Sequence, residues 1–134
     1  MQGGYFLSEF RPFQLPNAGT HQMQSALEKY EHFSSSQFPN YSQYESWLGA
    51  DLMIKGLQMA GKNPSQAGVI HALRGLKSYN GNGLLPETIN YTNDFGHDLP
   101  QTCEWYMIAK TNGFVPASSS TFCGKDVPGT TTAS

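Results

Sequence analysis

The rhythm of apolar and polar positions changes several times along the chain. Gly4 to Phe13, G-Y-F-L-S-E-F-R-P-F, is aromatic and partly alternating, with Pro12 as a stop, which predicts a strand running into an extended connection. Met23, Ala26, Leu27 and Tyr30 then fall at i, i+3, i+4 and i+7, one apolar stripe on a helix over 17–31. A polar loop with aromatic anchors, H-F-S-S-S-Q-F-P-N, follows. Ser42 and Glu45 have the spacing of a capping box and predict the start of a second helix. Tyr44, Trp47, Leu48, Met53, Ile54, Leu57 and Ala60 cover an arc wider than a surface helix needs, so this helix is expected to be largely buried. Gly61 is expected to end it in the left-handed C′ role.

The start signal then repeats. Asn63-Pro64-Ser65-Gln66 predicts a third helix, with Asn63 as cap and Pro64 at the first helical position. Val69, Ile70 and Leu73 form its apolar face and Gly75 stops it. Tyr79-Asn80-Gly81-Asn82-Gly83 is a turn, and Thr88-Ile89-Asn90-Tyr91 reads as a short strand. Trp105 to Lys110 and Phe114 to Pro116 flank Thr111-Asn112-Gly113, which predicts a hairpin with Asn-Gly at the turn. The tail over 124–134 is expected to be flexible. No internal repeat interrupts this order.

Composition narrows the class. The 134 residues suffice for one domain with a real core, yet hydrophobic residues at 38% and charged residues at 13% fall below globular usage. Polar uncharged residues and aromatics fill the gap, a balance commoner in secreted chains. A net charge of −2 without a Lys/Arg cluster gives no electrostatic case for nucleic acid, which is not expected as a partner. No apolar run approaches the roughly 20 residues that cross a bilayer, and Met1-Gln2-Gly3-Gly4 has no features of a secretion signal. Cys103 and Cys123 bracket the predicted hairpin, and an antiparallel pair brings such flanking positions close. A disulfide between them is favoured, which implies an oxidising compartment; two separate buried thiols are the alternative.

Catalytic constellations are weak. Glu28 and Glu31 lie on what reads as a solvated helix face, and His21, His32, His71 and His97 are scattered without a second ligand at metal spacing. No nucleophile elbow, Walker loop or dinucleotide fingerprint is present, so an enzyme, a metal site and a cofactor are not expected. Asn90-Tyr91-Thr92 is a glycosylation triplet of a kind common by chance. The aromatics carry more information. Tyr5, Phe6, Phe10 and Phe13 crowd the first strand, and Phe38, Tyr41, Tyr44 and Trp47 crowd the start of the second helix. They form either a packed core with its covering loop or the wall of a small-molecule cleft, and periodicity does not separate the two.

The order of these pieces resembles one family. The crossing strand G-Y-F-L-S-E-F-R-P-F, the helix A-G-T-H-Q-M-Q-S-A-L-E-K-Y, the segment Pro39-Asn40-Tyr41 leading to a long helix ending in Ala60-Gly61, the A-G-V-I-H-A-L-R-G-L helix, the glycine-rich turn and the hairpin W-Y-M-I-A-K-T-N-G-F-V are similar to the C-terminal third of type I extracytoplasmic solute-binding proteins, the leucine/isoleucine/valine-binding kind. The threonine-cysteine before the hairpin and phenylalanine-cysteine-glycine after it resemble a disulfide-bearing subgroup. Trp47-Leu48 departs from the tyrosine and aspartate of many members. The resemblance implies an α/β fold that is the C-terminal part of a two-lobe binding protein. Residues 1–13 would be a crossing strand and hinge, 14–87 the helical part of the first lobe, and 88–123 a crossing strand and the closing hairpin of the second lobe.

The implied function is capture of a small polar, amino-acid-like solute outside the cytoplasm, for an ABC transporter permease or a sensor. Phe10, Phe13, Tyr41 and Tyr44 would face the cleft. The grips on the α-amino and α-carboxylate groups, and the secretion signal, would lie upstream of Met1. A chain without its partner elements is expected to dimerise, swap or aggregate. A self-sufficient small secreted α+β interaction module is the alternative.

Overall fold

The computed structural model describes residues 2–94, 101–125 and 127. Strand β1 (Tyr5–Ser8) leads into helices α1 (Ala18–Tyr30), α2 (Tyr41–Ala60) and α3 (Gln66–Arg74). A 3₁₀ turn over Gly81–Gly83 and a one-turn helix, α4 (Tyr91–Asp94), follow. The chain then forms β2 (Cys103–Lys110), β3 (Gly113–Pro116) and the short β4 (Phe122–Cys123). The result is a mixed α/β fold in which the helices and an antiparallel sheet occupy separate layers.

Strand β2 is the centre of the sheet, with β1 on one side and both β3 and β4 on the other. Its burial alternates strictly through Ala109, the signature of a strand with one face covered. The register places Phe6, Ser8, Cys103, Trp105, Met107, Ala109 and Phe114 on that face. Tyr5, Leu7, Tyr106, Ile108, Val115 and Phe122 share the opposite face. Tyr5, Leu7 and Phe122 are exposed there, so the sheet is apolar on both sides, and one side is covered along β2 while Phe6 and Phe114 at its flanks stay exposed.

The core lies in the helical layer, where Met23, Leu27, Tyr44, Leu48, Tyr79 and Leu84 pack together. Met23 and Leu84 are fully enclosed, a burial worth roughly 1.5–3 kcal/mol for each side chain. The Tyr79 hydroxyl donates to the Leu48 carbonyl at 3.0 Å, so a core phenol costs no lost hydrogen bond. Gly81 sits at φ +59°, and a Cβ there would come within 2.2 Å of Leu48 Cδ2. The turn is pressed onto α2 as only glycine permits.

Several expectations need correction. Helix α2 is capped by Asn40 with Gln43, not Ser42 with Glu45, because Asn40 Oδ1 accepts from the Gln43 amide and Gln43 reaches back to the Asn40 amide. Helix α3 is capped by Ser65, whose hydroxyl accepts from Gly68; Asn63 and Pro64 precede the helix. The expected burial of α2 is not found either. Tyr44 and Leu48 are buried, but Met53, Ile54, Leu57 and Met59 are exposed, since α2 meets the core on one side only. Ile70 of α3 is also exposed, while Val69 and Leu73 close on Gly56 of α2. The strand expected over Thr88 to Tyr91 is a single bridge, Tyr79 to Ile89, and Tyr91 already starts α4. In the hairpin Lys110 pairs with Gly113, so the connecting residues are Thr111 and Asn112, and Gly113 takes the positive φ within β3.

Cys103 and Cys123 stand opposite one another in the register, with Cα atoms 4.0 Å apart, and are bonded. The bridge returns the chain to β2 after β3 has ended. His97 and most of the expected flexible tail, residues 126 and 128–134, lie outside the described residues. No helix among the described residues is long and apolar enough to cross a membrane.

Candidate ligand-binding site

The chain leaves β1 at Ser8 and passes over the N-terminal turn of α2 before α1 begins. Ser8 stabilises this exit by donating to the Phe10 carbonyl at 2.7 Å. Pro12, buried and unable to extend a ladder, turns the segment toward the helices. Phe10 and Phe13 are thereby carried onto α2. Phe10 stacks on Tyr44 with ring centres 5.0 Å apart and planes 9° from parallel, and lies 5.1 Å from Tyr41. Phe13 meets Tyr44 edge-on at 5.7 Å and Phe38 at 6.3 Å. The four aromatic residues expected to face the cleft therefore form one cluster at the junction of the two layers.

Their environments differ. Tyr44 is 8% exposed, and its hydroxyl donates to the Arg11 carbonyl at 2.7 Å. Burial raises its pKa well beyond the usual phenol range. Tyr41 is 53% exposed and donates to Glu9 Oε2 at 2.6 Å. That bond, more than any other influence, pushes its pKa up to about 12. Tyr44 thus belongs to the core, and Tyr41 presents a ring to solvent.

Beside the cluster a groove of about 350 Å³ opens between the covered sheet face and the loop before α2. Phe6, Phe13, Phe38, Tyr44, Met107 and Phe114 line it. Phe6 and Phe114 meet edge-on at 5.2 Å across β2, and Gln14 donates to the Phe114 carbonyl at 3.3 Å. Of the wall residues, Phe6 and Phe38 were among the aromatics weighed as core or cleft wall, whereas Met107 and Phe114 were not singled out by the sequence. Their shared face follows from the β1–β2–β3 register, which alternation within each strand alone does not reveal.

The charged groups near the cluster stand outside the groove's lining. Glu104 has its pKa raised by burial first, then by Glu9 and Glu87, and its Oε2 atom is buried without a partner. Glu87 is anchored by the Thr102 amide at 2.7 Å. Arg11 lies over the Trp105 ring at 5.6 Å while its Nε donates to the Leu15 carbonyl, so its cation faces an aromatic surface. Among the described residues no group of three His, Cys, Asp or Glu is placed to hold a metal ion. The arrangement offers aromatic area and an apolar recess, which are means of holding a solute.

Comparison with known proteins gives a matching assignment. The family model described as periplasmic binding protein matches residues 1–113. No curated protein and no solved structure matches the chain. The match covers both the helical layer and the first two strands of the sheet, and on it the chain belongs to the periplasmic binding protein family, whose members bind solutes outside the cytoplasm for transport and are not enzymes.

Proposed function

We propose that this chain supplies one wall of the cleft in a two-lobe extracytoplasmic binding protein that captures a small, amino-acid-like solute for an ABC transporter or a sensor. The observation that carries this reading is the cluster of Phe10, Phe13, Tyr41 and Tyr44 at the junction of sheet and helices, beside an apolar groove. In the proposed layout residues 1–13 are the hinge strand, 14–87 belong to one lobe, and 88–123 return to the other. Lobe closure then completes the site around the solute.

The exposed apolar surfaces of α2 and of the outer sheet face support a segment that works with further elements. A branched-chain amino acid is the solute we favour, because the groove is lined by aromatic and thioether side chains. The test is calorimetry with L-leucine on this chain, and on a version extended upstream to a complete two-lobe protein. Binding by the extended protein, lost in Tyr41→Ala without a change in melting temperature, is the expected result. Micromolar binding by the 134 residues alone would overturn the shared cleft in favour of a self-sufficient module.

A further inference from the structure

Arg11 belongs to the segment that carries Phe10 and Phe13 onto α2, and its guanidinium is held in place without being neutralised. Its amide donates to the Leu84 carbonyl at 2.8 Å, and its carbonyl accepts from the Tyr44 hydroxyl at 2.7 Å. The backbone here is thus tied to the turn and to α2. The side chain lies over the Trp105 ring, and Nε donates to the Leu15 carbonyl at 2.8 Å. A stack and a hydrogen bond together fix the plane of the fork.

With Nε engaged, the N–H groups of Nη1 and Nη2 remain. Neither atom has a hydrogen-bond partner among the described residues, and neither is enclosed, so both reach solvent. No described carboxylate forms an ion pair with Arg11; the pair that does form, Lys55 with Asp51, lies on α2. The acids near the junction gather elsewhere. Glu9 and Glu87 act on Glu104, which stands opposite Phe122 in the register and so belongs to the other face of the sheet.

The aromatic groove runs alongside. Ser8, Pro12 and Tyr44 line it; Ser8 stands opposite Trp105 in the register, and Pro12 follows Arg11 in the chain. Met107, also in the lining, is the next residue after Trp105 on the covered face. The cation over Trp105 therefore borders the groove at its Ser8 end, while no charged residue lines the groove itself. An apolar recess bordered by an unpaired cation suits a solute with an apolar body and an anionic end. The free edge of the fork matches the two oxygens of a carboxylate. Resting on the reading of the groove as part of a solute cleft, we infer that Arg11 binds the solute's carboxylate end-on through Nη1 and Nη2 while the apolar part fills the groove. This wall offers no anion to an amine, so apolar carboxylic acids that lack an amino group are ligands of the same wall.

The experiment divides leucine into its parts. The full chain is titrated with 4-methylpentanoate, which lacks the amine, with 3-methylbutylamine, which lacks the carboxylate, and with uncharged 4-methylpentanamide, following the Arg11 Nε–H and Met107 methyl signals by NMR. The acid is expected to shift both signals saturably, the amide to bind about tenfold more weakly, and the amine to leave the Arg11 signal in place. Arg11→Met, which keeps an apolar stem over Trp105, should bring the acid down to the affinity of the amide without changing the amide. Arg11→Lys should keep the acid ahead of the amide. The inference is overturned if acid and amide bind alike to the parent chain, if Arg11→Met still prefers the acid, or if no probe shifts these signals. Leucine binding to the extended two-lobe protein is read separately. Its failure there beside an acid preference here would sink the solute-capture reading alone, and the reverse pattern would sink the role of Arg11 alone.

Discussion

Glu104 concentrates the conflicts at the junction of the layers. Burial, then the neighbouring Glu9 and Glu87, disfavours its charged form, and one of its oxygens is enclosed without a donor. The folded state therefore binds a proton more tightly than the unfolded chain, and stability falls as pH rises from the ordinary carboxylate range through the raised folded pKa. Glu104→Gln should melt at a higher temperature than the parent at pH 7, with the difference shrinking toward zero in acid, where both states are protonated. A variant less stable at neutral pH would show that the charge is satisfied. Tyr41 and Tyr44 show how far single residues were legible. The sequence marked both as aromatic near the start of a helix, but only the path of the Phe10–Phe13 segment decides that Tyr44 is enclosed and Tyr41 is open. That path is a tertiary fact, absent from the period of the helix.

At the scale of elements, the helices were readable and their first residues were not. The box expected at Ser42 and Glu45 is not the one used; the cap of α2 is Asn40, two residues earlier. Asn40 is the cap because its side chain accepts from the Gln43 amide and Gln43 completes a reciprocal box, while Ser42 lies already inside the helix. Asn40→Ala should cost about 1 kcal/mol in chemical denaturation, and Ser42→Ala less than about 0.5 kcal/mol; the reverse order would restore the Ser42 box. The width of the apolar arc on α2 suggested burial that the described residues do not supply. Gly56 explains the side that is packed: a Cβ there would lie 2.9 Å from Leu73 Cγ and 3.0 Å from Val69 Cγ1, so α3 docks closely at this point. Met53 and Leu57, on another side of the helix, face solvent. Periodicity reports which side chains are apolar, not which neighbour is present to cover them.

The whole molecule depends on a sheet whose two faces have unequal cover. The Cys103–Cys123 bond, legible from its position around the hairpin, closes a separation of 20 residues and ties β4 to β2. Its removal should lower stability by about 3 kcal/mol in the chain-entropy account, measured by denaturation with and without reductant. It does nothing for the outer sheet face, where Tyr5, Leu7, Val115 and Phe122 are exposed around Tyr106 and Ile108. An antiparallel sheet with one solvated face ordinarily alternates apolar with polar residues, whereas strands buried on both faces are apolar throughout. β1 and β3 follow the second pattern, and each also has a strand edge that pairs with no further strand among the described residues. Such a surface drives association. The chain by itself is therefore expected to sediment as dimers or larger species at micromolar concentration. Leu7→Lys, which places a charge at the centre of that face without touching the core, should shift it toward monomer while leaving the helical circular dichroism unchanged. A parent chain that is monomeric and melts cooperatively would show instead that the outer face is stable in water, and with it that the 134 residues are a self-sufficient module.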